Sequence, residues 1–364
     1  MTSIRLLIKE STRAIISPLT GGRAVINLKP TIANVYLTEY CNSKCTMCDF
    51  WKRDRNPNEP SSEEWGVIFS RLKAFGVEYV GVNASGEIFT RPDIFKILGH
   101  LKNMGLGFGI NTNGTLITRQ KAEQLALLNP RVVTIGLDGV GNDNYLLTRG
   151  LVNGFTKVTR SIGYLKNSGV KNIRIGSVLM QDNMDQWLEL CHFVREQKLD
   201  GIRFTAYHEG YFHDEIQVRE SPYQEPDFLE KLKIEIDRLL AFKKETGLLN
   251  NSAAYLKSIP EYYRKGHSYF PHPCLQGSNR IELDVYGNVT LCSFMTESLG
   301  NLKEQEMEEI WRSAQHRQTR IDAFKGDCTR CYLSCYAEEN LRMSAKGFFP
   351  TMGESIAKTK RMLK

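Results

Sequence analysis

The chain has 364 residues, with 48 Lys and Arg against 41 Asp and Glu, for a net charge of +7. A chain of this length buries a core without disulfide staples, its mild charge excess comes with no aromatic–basic motif of a nucleic-acid module, and no apolar run reaches the ~18–20 residues of a membrane span. Nine cysteines, eight of them in two clusters, therefore read as metal-site cysteines of a reducing compartment. Arg5, Lys9, Glu10 and Arg13 break the N-terminal apolar residues, so a signal-peptide core is not expected. The expectation is a cytoplasmic protein with no nucleic-acid partner and no membrane span.

Residues 1–30 read as an N-terminal arm. From 31 to 246, short β-branched runs alternate with helical patterns, which predicts parallel strands joined by helices. The first strand, Ile32 to Leu37, runs into Cys41-Asn42-Ser43-Lys44-Cys45-Thr46-Met47-Cys48, a Cys-x3-Cys-x2-Cys loop. Three thiolates are one short of a closed zinc site and suit a four-iron cube with one iron left open. A zinc knuckle with a distant fourth ligand, or cysteines that are merely buried, is the alternative. Ser61 and Glu64 form a capping box opening a helix that carries Trp65, Ile68, Phe69 and Leu72. Strands follow at Tyr79 to Asn83, Gly107 to Asn111, Val132 to Ile135, Ile173 to Leu179 and Gly201 to Phe204, with a helix from Pro92 after the second. Six units in about 215 residues fall short of the ~250 of an eight-unit barrel. The fold class expected is α/β over 31–246, and a barrel built from such units would carry its chemistry at the strands' C-terminal ends. Beyond Phe204, a long loop bearing His208, Glu209, Tyr211 and His213 is a candidate substrate lid. Phe228, Leu229, Leu232, Ile236, Leu239 and Leu240 trace one helix face, and 247–270, with Pro260 and Gly266, read as a linker.

The cysteine loop after a first strand resembles the signature of the radical S-adenosylmethionine (radical SAM) superfamily. The resemblance implies a partial (β/α)6 TIM-like barrel, open and of six units over 31–246, and a [4Fe-4S] cluster held by Cys41, Cys45 and Cys48, with S-adenosylmethionine on its free iron. It also implies a flavodoxin- or ferredoxin-type electron donor and a 5′-deoxyadenosyl radical as reactive species. Three further stretches carry it. Ser85-Gly86-Glu87-Ile88 is similar to the family's Gly-Gly-Glu-Pro element, which assigns Gly86 and Glu87 to the cofactor's amino group. Asn111-Thr112-Asn113-Gly114-Thr115 resembles a Thr-Asn-Gly-Thr element and adds Asn113. Gly136-Leu137-Asp138-Gly139 resembles Ser-Leu-Asp-Gly with Gly136 in the serine's place, so that contact is lost or comes from elsewhere. Arg149 matches an arginine that grips the cofactor's carboxylate. An ordinary strand-end turn at Gly86 and a solvated loop arginine at 149 are the rival readings.

Cys274 and Cys292 flank Tyr286-Gly287-Asn288, giving Cys-x12-Gly-x4-Cys on a predicted hairpin. One helix carrying Met307, Ile310, Trp311 and Ala314 follows, then Cys328-x2-Cys331-x3-Cys335. This resembles the SPASM/twitch extension of radical SAM enzymes and implies a small α+β domain over 271–340 with one auxiliary [4Fe-4S] cluster, then a tail over 341–364. Cys274, Cys292, Cys328 and Cys331 are the favoured ligands, with Cys335 swapped in or free. A structural zinc is the alternative.

These readings imply an enzyme that abstracts a hydrogen atom from an unactivated C–H bond of a carbohydrate-like small molecule or a peptide. A net oxidation is expected, with the auxiliary cluster as electron acceptor. His208, Glu209, Tyr211 and His213 are the candidate base and orienting groups. A free Cys335 would instead suit a radical epimerase, peptide maturation is a further possibility, and a non-catalytic iron–sulfur electron carrier is the reading from another class.

Overall fold

Period-two patterning builds the frame. In the computed structural model, which describes residues 23–208, 225–266, 271–328 and 331–342 with a few isolated positions beside them, six strands run parallel. They are β1 (Ile32–Tyr36), β2 (Tyr79–Asn83), β3 (Gly107–Thr112), β4 (Val132–Gly136), β5 (Ile173–Leu179) and β6 (Gly201–Ala206). Ala33, Val35, Val80, Val82, Val133, Ile135, Ile175 and Phe204 point outward and are fully buried beneath helices. The alternate positions, among them Asn34, Gly81, Gly109, Thr134, Gly176 and Arg203, face a cavity. An eight-strand barrel ordinarily fills that interior with bulky branched side chains. Here small and polar residues leave it hollow.

The covering helices are α1 (Ser62–Phe75), α2 (Ile94–Asn103), α3 (Arg119–Leu128), α4 (Asn142–Arg149), α5 (Gly154–Asn167), α6 (Trp187–Glu196) and α7 (Pro226–Thr246). The expected capping box opens α1: the Glu64 N–H donates to Ser61 Oγ at 3.2 Å and the Ser61 N–H to Glu64 Oε2 at 2.8 Å. Trp65, Ile68, Phe69 and Leu72 are fully buried, as their spacing predicted. Cys191 sits in α6, buried in the core away from both cysteine clusters. No helix of the described residues is long and apolar enough to cross a membrane.

Residues 253–265 of the expected linker form α8 (Ala253–Lys265), whose Tyr255, Leu256 and Ile259 are buried. The C-terminal hairpin is present as β7 (Ile281–Leu283) and β8 (Val289–Thr290), tied at its turn by Asp284 Oδ1, which accepts N–H groups from Tyr286 and Asn288 at 2.9 Å. It joins the barrel sheet: β7 pairs parallel with β1, giving the order β6-β5-β4-β3-β2-β1-β7-β8. The single helix expected after it is two, α9 (Met307–Arg312) and α10 (Ala314–Lys325), because Ser313 turns extended and caps the second through the His316 N–H. The last helix is α11 (Ser334–Arg342). Near the N-terminus, Ile26 O accepts hydrogen bonds from Ser278 and Arg320, so this part of the arm lies against the C-terminal unit.

Candidate active site

The first cysteine loop is held from two sides. Asn113, just past β3, donates from Nδ2 to Asn42 Oδ1 at 2.9 Å and to Ser43 Oγ at 3.1 Å, and Asn42 Nδ2 donates to Thr115 Oγ1 at 3.0 Å. On the other side the Lys44 and Thr46 N–H groups donate to the carbonyls of Arg149 and Thr148, at 3.2 and 3.0 Å, at the end of α4. Cys41, Cys45 and Cys48 thereby edge the barrel cavity, which has a volume of about 1390 Å³. Burial pushes the Cys41 thiol up to about 12 and Cys48 to about 11. It also raises Cys45, with Arg149 opposing. Such thiols stay protonated at neutral pH until a metal supplies the compensating charge. Among the described residues no three His, Cys, Asp or Glu side chains close on a single-ion site. Thiols spread along a cavity edge, with room for a further ligand beside them, fit the separate corners of an iron–sulfur cube.

The sequence-matched cofactor positions line the same cavity: Gly86, Glu87, Asn113, Gly136 and Arg149. Gly86 is required by a close approach, since a Cβ there would stand 2.0 Å from the Tyr40 carbonyl oxygen. Glu87 is buried, and its carboxylate accepts from Thr112 Oγ1 at 2.7 Å and from the N–H groups of Asn113 and Phe89 at 2.6 and 3.1 Å. Burial raises its pKa, with those donors opposing. Glu87 thus ties the loop after β2 to the loop after β3. Arg149 pairs with the buried Asp138 at 2.7 Å, and its guanidinium lies over Gly136, where a Cβ would meet Nη1 at 2.6 Å. The glycine standing in the serine's place is what makes room for the arginine.

The five C-terminal cysteines divide between two spaces. Cys274, Cys292, Cys328 and Cys331 line a second, small pocket together with Phe294, Tyr332 and Tyr336. Cys335, in the first turn of α11, lines the large cavity instead. Cys292 Sγ accepts N–H groups from Phe294 and Met295, both at 3.4 Å. Burial lifts Cys274 and Cys335 to about 11 and Cys292 to about 12. His208 is buried with its ring 4.6 Å from that of Phe294, beside the second pocket and not among the residues of the large cavity. Glu209, Tyr211 and His213 lie outside the described residues.

Residues 35–194 match the radical SAM superfamily, and residues 274–332 match an iron–sulfur cluster-binding domain, SPASM. The chain is a radical SAM enzyme with a SPASM domain. It binds S-adenosylmethionine and a [4Fe-4S] cluster in the first domain and carries an auxiliary iron–sulfur site in the second. An AdoMet-dependent heme synthase of Nitratidesulfovibrio vulgaris is 23% identical over 81% of this chain and 83% of its own length. The subtilosin biosynthesis protein AlbA of Bacillus subtilis is 24% identical over 84% of this chain and 67% of its own. The fold is similar to that of Streptococcus suis SuiB bound to its precursor peptide SuiA, with a TM-score of 0.63, 18% identity and coverage of 90% of this chain and 78% of that one.

Several residues where the barrel meets the C-terminal unit escaped the sequence reading. Asn34 Nδ2 donates to Glu282 Oε1 at 2.9 Å, joining β1 to β7 within the sheet, and Arg280 pairs with Glu339. Tyr36 OH, Ser293 Oγ and Tyr336 OH form a hydrogen-bonded chain, 3.1 and 2.9 Å per link. Its ends line the large cavity and the small pocket respectively. A polar residue alternating with apolar ones reads as solvent-facing in an ordinary strand. Only a hollow barrel turns it into a site residue.

Proposed function

We propose that this enzyme abstracts a hydrogen atom from an unactivated C–H bond of a substrate held in the barrel cavity, and that the net reaction is an oxidation. The observation that carries the reading is the division of the two cysteine clusters, Cys41, Cys45 and Cys48 edging the large cavity and four of the five C-terminal cysteines lining a separate pocket. The cluster and S-adenosylmethionine, when bound at the first loop, supply a 5′-deoxyadenosyl radical. The chain's own part is to hold them. Cys41, Cys45 and Cys48 are the ligands proposed for the first cluster, and Cys274, Cys292, Cys328 and Cys331 for the auxiliary one. Gly86, Glu87 and Asn113 shape the cofactor's seat, while Arg149, steadied by Asp138, presents a guanidinium fork to its carboxylate. A cluster held by those four C-terminal cysteines would supply the acceptor for the electron released when the substrate radical is oxidised, with the Tyr36, Ser293 and Tyr336 hydroxyls bridging cavity and pocket, and the proton released with it would pass to solvent in the cavity. A flavodoxin- or ferredoxin-type protein is the proposed donor of the first electron.

A cavity of about 1390 Å³ exceeds the ~300–1,000 Å³ of most small-molecule sites. Part of it belongs to the cofactor, yet the remainder favours a peptide segment or a large ring system over a single sugar. Relatives named as heme synthases agree with that size class, and another is named as a mycofactocin maturase. The test is anaerobic reconstitution with S-adenosylmethionine and dithionite. Release of 5′-deoxyadenosine is expected, and its absence from protein carrying both clusters would remove the reading.

A second reading rests on Cys335, whose side chain lines the substrate cavity and not the second pocket. A thiol there is placed to return a hydrogen atom to a substrate radical, which is epimerisation, and the thiyl radical left on Cys335 would take back one electron from a reduced auxiliary cluster and one proton from solvent. In deuterium oxide that reaction installs one deuteron at the altered carbon and stops in Cys335→Ala, whereas the oxidation installs none.

A further inference from the structure

Two arginines inside the barrel have no part in the chemistry above. Arg174 on β5 pairs across the sheet with Gly201, and Gly176 pairs with Arg203 on β6. Arg174 and Arg203 therefore share the inward face, with Cα atoms about 8 Å apart by strand geometry. Both line the large cavity. Each is anchored by one hydrogen bond, Arg174 Nε to Asn172 Oδ1 at 2.9 Å and Arg203 Nη2 to the Ser334 carbonyl at 2.8 Å. Arg203 Nε is buried with no hydrogen-bond partner. Among the described residues neither makes an ion pair, in contrast to Arg149 and Arg280, which line the same cavity.

Most of the acids lining that cavity are already engaged. Glu87 is taken up by Thr112, Asn113 and Phe89, and Glu338 by Asn251 and the Ser252 N–H. Glu339 pairs with Arg280, and Asp237 stands exposed at the cavity edge. Burial holds Arg174 below its ordinary range, with Asp200 opposing and the Arg203 charge adding. Two like charges in one partly buried space, opposed only by Asp200, which also takes the Ile173 N–H, are costly, and a ligand that brings a further counter-charge relieves the cost. Gly136, beneath Arg149, lies in the same rung as Arg203 two strands away, about 10 Å. An anion between β5 and β6 would thus lie beside the cofactor seat without sharing its arginine.

We propose that Arg174 and Arg203 form an anion subsite that takes a carboxylate or phosphate group of the substrate. This rests on the cavity being the substrate chamber, and it names the substrate class as anionic. Guanidinium forks match the paired oxygens of both groups.

Titration calorimetry of the anaerobically reconstituted holoprotein tests it, with inorganic phosphate in one arm and succinate in the other. Saturable binding is expected in at least one arm, weakened tenfold or more by Arg174→Gln and by Arg203→Gln at unchanged iron content. The tighter arm identifies the group. Arg203→Lys, which keeps the charge, should bind better than Arg203→Gln. Silence in both arms, or binding that the Gln variants leave intact, overturns the subsite. Release of 5′-deoxyadenosine by the same wild-type preparation tests the radical reading apart. Release beside a silent titration removes the subsite alone, and anion binding without release removes the radical reading alone.

Discussion

The two cysteine regions use the same side chain under opposite demands. At the first, three thiols follow a strand directly and edge a wide cavity. At the second, four thiols gathered from across the C-terminal unit line a small pocket walled by Phe294, Tyr332 and Tyr336. Among the described residues aromatic packing backs this second pocket, with Tyr332 stacked on Tyr255 at 5.4 Å and on Tyr262 at 5.0 Å. An open site can admit a further ligand to a metal; a closed one can take an electron and little else. The difference teaches that ligand count and access together separate a reactive cluster from an electron sink.

Breaking either half should leave the other standing. The largest effect is expected from Cys45→Ala: 5′-deoxyadenosine release falls to background, while the paramagnetic signal of the auxiliary cluster persists. Loss of both signals together would mean that the regions are not independent. Cys292→Ala should do the reverse, keeping reductive cleavage of S-adenosylmethionine within a few-fold while the two-electron product disappears. Full product yield without the auxiliary cluster would rule out its role as acceptor.

A smaller effect sharpens the first region. In Gly86→Ala the new methyl must displace the Tyr40 carbonyl, an overpacking that costs about 1–3 kcal/mol and should lower the melting temperature together with S-adenosylmethionine affinity. Gly136→Ser, which restores the family's usual residue, should push Arg149 off Asp138 and weaken cofactor binding. An unchanged dissociation constant would show that Arg149 does not meet the cofactor.

The smallest effect belongs to the C-terminal unit. His316 is buried against Trp311 and Arg320, and burial, with the Arg320 charge adding, pulls its pKa from 6.5 to about 4. The unfolded chain therefore binds the extra proton first. Stability is full above pH 6.5 and is lost as pH falls toward 4. Urea melts of His316→Gln should show a flatter decline across that window, and an identical slope would contradict the assignment.

Much of this was legible in the chain. The capping box at Ser61, the apolar stripe of α1 and the six parallel strands follow from local patterning, and the three-cysteine loop lies where strand order puts it. What was hidden is long-range. The addition of β7 to β1 joins residues some 250 positions apart, which no local period encodes. The exchange of a serine for Gly136 looked like a lost contact until Arg149 was found lying over it. Arg174 and Arg203 were invisible because an inward polar residue and a solvated one carry the same alternation. His208, expected in a substrate lid, instead packs on Phe294.

The central claim is that one cluster is open and the other closed. The most direct measurement is the paramagnetic spectrum of dithionite-reduced protein with and without S-adenosylmethionine. Two reduced-cluster signals are predicted, of which one shifts on adding the nucleotide and vanishes in Cys45→Ala, while the other is unmoved. Neither signal shifting, or the shift surviving in Cys45→Ala, would contradict the account.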